Sequence, residues 1–146
     1  AESARTTVLD LRFGRPAVAP MLGVLPKRGV LASLTNLRGR APEPMSVQMI
    51  APRFGIVPME SDGSEELVIE PEFAELMRTL RRGNDFVVLD GPPVIPFVHR
   101  DAVLNCVDLV VIVCSPDDVR SDVLSMASDL VSPKPVVGSV VSLSGV

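Results

Sequence analysis

Apolar residues follow two different rhythms along this chain, and the rhythms predict its elements. In "EPEFAELMRTLRRG", Phe73, Leu76, Met77 and Leu80 recur at three- and four-residue spacing, which puts them on one face of a helix. Pro71 suits the first turn, acidic residues cluster at the start, Arg78, Arg81 and Arg82 lie towards the end, and Gly83 can close it. "SPDDVRSDVLSMASDLV" predicts a second helix, capped by Ser115 or Asp117, with Val119, Val123, Met126 and Leu130 facing inward. Shorter helices are expected in "RDAVLNCV" and in "GVLASLTNLRG", the latter closed by Gly39. The other rhythm is continuous: "DFVVLD", "DLVVIVC" and "KPVVGSVVSL" read as apolar strands, and "RTTVLD", "SVQMI" and "FGIVPM" as shorter ones near Pro52 and Pro58.

Strands apolar on both faces and separated by helices predict an α/β fold. The expected architecture is an open, mostly parallel sheet with helices on both faces and right-handed crossovers. "LRFGRPAVAPMLGV" has the Gly and Pro density of a loop entering short helical turns, and "SDGSEE" is the expected mobile loop. The prolines between Arg40 and Pro44 suit an irregular connection, so residues 1–146 are read as one domain. No internal repeat or low-complexity tract interrupts it.

Composition changes this picture only at its margins. A hydrophobic content of 47% supplies a core, and with Trp 0, Tyr 0 and Phe 5 that core is mainly aliphatic. Runs such as "LVVIVC" fall far short of the roughly 18 to 20 residues that span a bilayer, and no secretory signal opens the chain. A soluble, cytoplasmic protein without direct membrane insertion is therefore expected. A net charge of -4 argues against non-specific nucleic-acid binding. Cys106 and Cys114 have neither CxxC spacing nor a nearby His, so both are read as small core residues, not metal ligands.

The candidate chemistry sits where strands stop. Asp10 ends "RTTVLD" and Asp90 ends "DFVVLD", and ligands of open parallel sheets bind beyond such strand ends. A carboxylate there can hold Mg²⁺ directly or through water and so face nucleotide phosphates. It can equally cap the following turn through backbone N–H groups. Spacing alone leaves both readings open.

"FVVLDGPPV" resembles the Walker B segment of bacterial tyrosine kinases, three aliphatic residues followed by D-x-P, with Val87, Val88, Leu89, Asp90 and Pro92 in register. "TTVLDLRFGRPAVAPMLGV" is similar to the Walker A′ strand of that family and the R-P…L-G run behind it, through Arg15, Pro16, Leu22 and Gly23. The resemblance runs in order along nearly the whole chain. It implies a P-loop NTPase-like, three-layered fold related to partitioning and Min-type ATPases, with ATP and Mg²⁺ as cofactors. Asp10 and Asp90 would be the catalytic acids, Asp90 the metal position, and Asp10, Arg15, Asp90, Pro92 and Asp101 the nucleotide-binding set. It also implies a role in exopolysaccharide or capsule export, a membrane polysaccharide co-polymerase as partner, homo-oligomers, and attachment to the inner membrane through that partner.

The family pattern also breaks in three places. An ungapped alignment to D-x-D-x-R puts Arg12 at the second acid and Gly14 at the Arg, and a cation cannot ligate Mg²⁺. No G-x-x-x-x-G-K-S/T occurs, so the phosphate cradle is expected before Ala1 and the domain is expected to be incomplete at its N-terminus. With Tyr 0, the chain carries no tyrosine tail, which the family would place after Val146. The expectation is a degenerate, regulatory or scaffolding domain without a bound cofactor. The alternatives are an active tyrosine kinase or ATPase whose Walker A lies outside this chain, and a positioning ATPase of the partitioning type.

Three further features read mainly as structure. Glu75, Arg78 and Arg81 spell the family's E-x-x-R-x-x-R oligomerisation pattern, but charges at this spacing line the solvent face of any amphipathic helix. His99 is the single His and is expected in a loop. Asp101 begins the "DA" pair of the family pattern and is equally well placed to cap "AVLNCV".

Overall fold

The computed structural model describes residues 4–12, 17–24, 47–58, 70–91, 100–115, 121–132 and 134–141. The chain divides into two compact units, Ala1–Pro92 and Pro93–Val146.

The first unit contains β1 (Thr6–Asp10), α1 (Val18–Met21), β2 (Gln48–Ala51), β3 (Phe54–Val57), α2 (Glu70–Gly83) and β4 (Phe86–Asp90). Its four strands lie in the order β2-β3-β1-β4. β1 is central and runs parallel to both β3 and β4, while β2 pairs antiparallel with β3 across a tight turn at Pro52 and Arg53. Gly55 suits that hairpin, because a Cβ there would stand 2.7 Å from Val47 Cγ1 and force it to shift. Leu9, Leu11, Ile56 and Val57 are fully buried and form the heart of this unit with the inner face of α2.

That face is the one the periodicity predicts: Phe73, Leu76, Met77 and Leu80 are all buried, and α2 packs on β4. The helix ends at the expected glycine, Gly83, but not through a left-handed glycine turn. Asn84 instead donates from Nδ2 to the Leu80 carbonyl (2.8 Å), and Arg5 donates from its guanidinium to the Gly83 carbonyl (2.9 Å). Thr7 closes this network by donating to Asn84 Oδ1 at 2.8 Å, which ties the start of β1 to the helix end.

The second unit contains α3 (Arg100–Leu104), β5 (Val110–Cys114), α4 (Ser121–Val131) and β6 (Val136–Val141), with β5 and β6 parallel. β5 alternates: Ile112 and Cys114 are buried, while Val111 and Val113 are exposed. Cys106 is only half-buried, so of the two cysteines Cys114 alone is a core residue. On α4 the inward positions are Ala127 and Val131, one helical turn apart. Met126, expected inward, is exposed, and Leu130 is half-buried. Both stripes have helical spacing, so the sequence could not choose between them. The expected helix in "GVLASLTNLRG" beyond Val24, the "SDGSEE" loop and the cap positions Ser115–Asp117 past Ser115 lie outside the described residues.

Candidate functional site

Because β1 and β4 are parallel and in register, Asp10 and Asp90 are direct neighbours at the carboxyl edge of the sheet. The pairing continues one step further, with the Leu11 N–H donating to the Asp90 carbonyl at 2.9 Å. Two carboxylates far apart in sequence are thus brought to one edge by strand pairing alone.

Their surroundings differ. Asp10 is fully buried. Its Oδ1 accepts the Arg12 N–H at 3.1 Å, and its Oδ2 accepts the N–H groups of Ala17 (2.9 Å) and Val18 (3.0 Å). Ala17 is the N-cap of α1 and has no capping side chain of its own, so Asp10 caps that helix start from seven residues upstream. α1 then closes on Gly23, at φ 67, with the Gly23 N–H bonded to Pro20 O (3.0 Å) and the Val24 N–H to Ala19 O (2.9 Å). The R-P…L-G run therefore ends in a Schellman turn that needs glycine at position 23.

Asp90 is half-buried, and among the described residues no N–H or O–H donates to its carboxylate. Burial raises its pKa above the ordinary value, repulsion from Asp10 raises it further, and the Arg12 guanidinium pulls it back. Asp90 thus holds its charge at some cost, without a hydrogen-bond donor from the described residues. The raised value has a consequence for stability. As pH rises past 3.8 the unfolded chain loses this proton first, so stability falls until the folded group has ionised, and stays lower above that. Asp90→Asn removes the loss. In chemical denaturation across pH, its stability relative to wild type is expected to grow through that window and then level off; a constant difference would contradict this origin.

Of the sequence-predicted set, strand pairing brings Asp10 and Asp90 together, and the Arg12 N–H bonds to the first of them. Arg15, Pro92 and His99 lie outside the described residues. Asp101 is in the second unit, inside the first turn of α3 and not at its cap, with an exposed carboxylate that accepts from its neighbour Arg100 Nε at 3.1 Å. Glu75 and Arg78 pair with each other on the exposed face of α2. The backbone amides of Ala17 and Val18 were invisible beforehand, because nothing in an Ala or Val side chain marks its N–H as a donor.

As a resident Mg²⁺ site this edge fits poorly. Asp10 has engaged both oxygens with main-chain donors, a cation already acts on Asp90, and no cluster of three or more metal-ligating side chains exists among the described residues. Among the described residues no helix is long and apolar enough to cross a membrane.

Neither a protein-family model nor a curated protein matches the sequence. Solved structures do. The VpsO kinase domain superposes with a TM-score of 0.75 at 22% identity, covering 97% of this chain and 71% of that one. The kinase domain of the Escherichia coli tyrosine kinase ETK gives 0.76 at 15%, covering 98% and 58%. A ParA family ATPase from Chlorobium tepidum TLS gives 0.65 at 22%, covering 99% and 62%. The chain has the fold of these proteins. It spans between 58% and 71% of the three matched chains. The mostly parallel α/β architecture expected from the apolar runs is thereby established, with the carboxylate edge at its strand ends.

Proposed function

We propose that this chain is a bacterial-tyrosine-kinase-like domain of exopolysaccharide or capsule production, degenerate at its nucleotide site. It works by association, with a membrane polysaccharide co-polymerase and with further copies of itself, and not by phosphoryl transfer. It resides in the cytoplasm, held at the inner membrane by that partner. The fold shared with the VpsO and ETK kinase domains supports the family reading. The single observation that carries the degeneracy is the state of Asp10. An acid that would have to serve Mg²⁺-ATP is buried and bonded to three backbone N–H groups, with Arg12 two residues on.

The test is calorimetric titration of the chain with Mg²⁺-ATP. No saturable binding tighter than about 1 mM, a free energy near -4 kcal/mol, is expected. Micromolar binding accompanied by hydrolysis would sink the degenerate reading. Asp90 favours a second reading, because a half-buried carboxylate that takes no donor from the described residues suits a metal ligand. In it the chain is part of an active kinase or ATPase whose phosphate loop lies outside these residues. Finding G-K-S/T in the flanking gene sequence, with Mg²⁺-ATP turnover by the longer protein, would establish it.

A further inference from the structure

Two carboxylates on directly paired residues of parallel strands stand about 5 Å apart at the backbone, and at a half-buried edge their repulsion is far stronger than in water. Among the described residues, hydrogen bonds answer this for Asp10 and none reaches the carboxylate of Asp90, so a positive charge nearby would relieve the pair.

The chain supplies one. After Asp10, the Leu11 N–H bonds to the Asp90 carbonyl (2.9 Å) and the Arg12 N–H bonds to Asp10 Oδ1 (3.1 Å). These two bonds fix the main chain of Arg12 against both acids, and its side chain leaves from that point half-buried. We propose that Arg12 is the built-in counter-ion of the Asp10–Asp90 pair, its guanidinium filling the electrostatic role that a divalent cation would otherwise fill. This rests on the degenerate-site reading above and names the residue responsible for it. The favourable influence of Arg12 on the ionised form of Asp90 agrees with it. A guanidinium suits the task because it stays charged at all accessible pH and is more weakly hydrated than an ammonium. Without it, two negative charges meet at one edge, an arrangement that draws in a divalent cation.

The experiment uses Mn²⁺ alone, without nucleotide, titrated into the full chain and followed by electron paramagnetic resonance. Wild type and Arg12→Lys are expected to show no saturable site. Arg12→Gln, which keeps the backbone bond to Asp10, is expected to bind at least about tenfold more tightly, and Arg12→Gln combined with Asp90→Asn to lose that gain. Wild type binding as tightly as Arg12→Gln, or Lys and Gln behaving alike, overturns the proposal. Should Arg12→Gln fail to fold, the wild-type melting temperature decides. No rise in Mg²⁺ over a Na⁺ solution of matched ionic strength supports the counter-ion, and a rise abolished by Asp90→Asn overturns it. Mg²⁺-ATP binding by wild type tests the degenerate reading separately, since this series contains no nucleotide.

Discussion

Asp10→Ala is expected to destabilise the first unit by about 3 to 5 kcal/mol, more than the loss of most single side chains. The substitution strips acceptors from three N–H groups at once, those of Arg12, Ala17 and Val18, and leaves a void where a fully buried side chain stood. Each orphaned buried donor costs roughly 1 to 3 kcal/mol, partly recovered where water can enter beside the half-buried Ala17 and Val18. Asp10→Asn should fall between, because its one remaining carbonyl oxygen can serve Ala17 and Val18 while its NH₂ confronts the Arg12 N–H. Urea unfolding followed by far-ultraviolet circular dichroism is the appropriate measurement, since the chain has Trp 0 and Tyr 0 to report by fluorescence. The opposite result, little change in stability, would mean that Asp10 is held for chemistry and not for the turn into α1. Acids kept for chemistry are commonly neutral or even destabilising to the fold.

Phe73→Ala is the second large effect, expected to cost about 3 to 5 kcal/mol. Phe73 is the largest fully buried side chain among the described residues and stands on the face by which α2 meets the sheet. Removing the ring forfeits its transfer from water and leaves a cavity that Leu76, Met77 and Leu80, already packed, are poorly placed to fill. Arg82→Ala on the exposed side of the same helix is the control, expected within about 0.5 kcal/mol of wild type. Equal effects at the two positions would mean that α2 is not anchored by this face.

The contrast between these two positions marks what was legible in advance. The α2 stripe follows from spacing over a dozen residues, because helical geometry is local and repeats every 3.6 positions. Its mirror case on α4 shows the limit. Val123–Met126–Leu130 and Ala127–Val131 are both helical stripes, and only packing decided that Met126 faces outward. Gly83 is where α2 stops, yet the carbonyls of that last turn are bonded by Asn84 and by Arg5, a residue remote in sequence.

At the site the division is sharper. The run of apolar residues ending in Asp10 and Asp90, the R-P…L-G segment and the misplaced cation at Arg12 were all readable from residue identity. So were the strands themselves, since a continuous apolar run bounded by turn residues has few other uses in a chain of this size. Sequence left open whether a strand-ending aspartate serves a ligand or a turn, because a carboxylate is equally good at both. Tertiary structure separated the two acids. The register of β1 on β4 set them side by side, the turn into α1 claimed the oxygens of Asp10, and Asp90 was left half-buried beside it. Which strands pair, and which main-chain amides point inward, are long-range consequences of folding that no local pattern encodes.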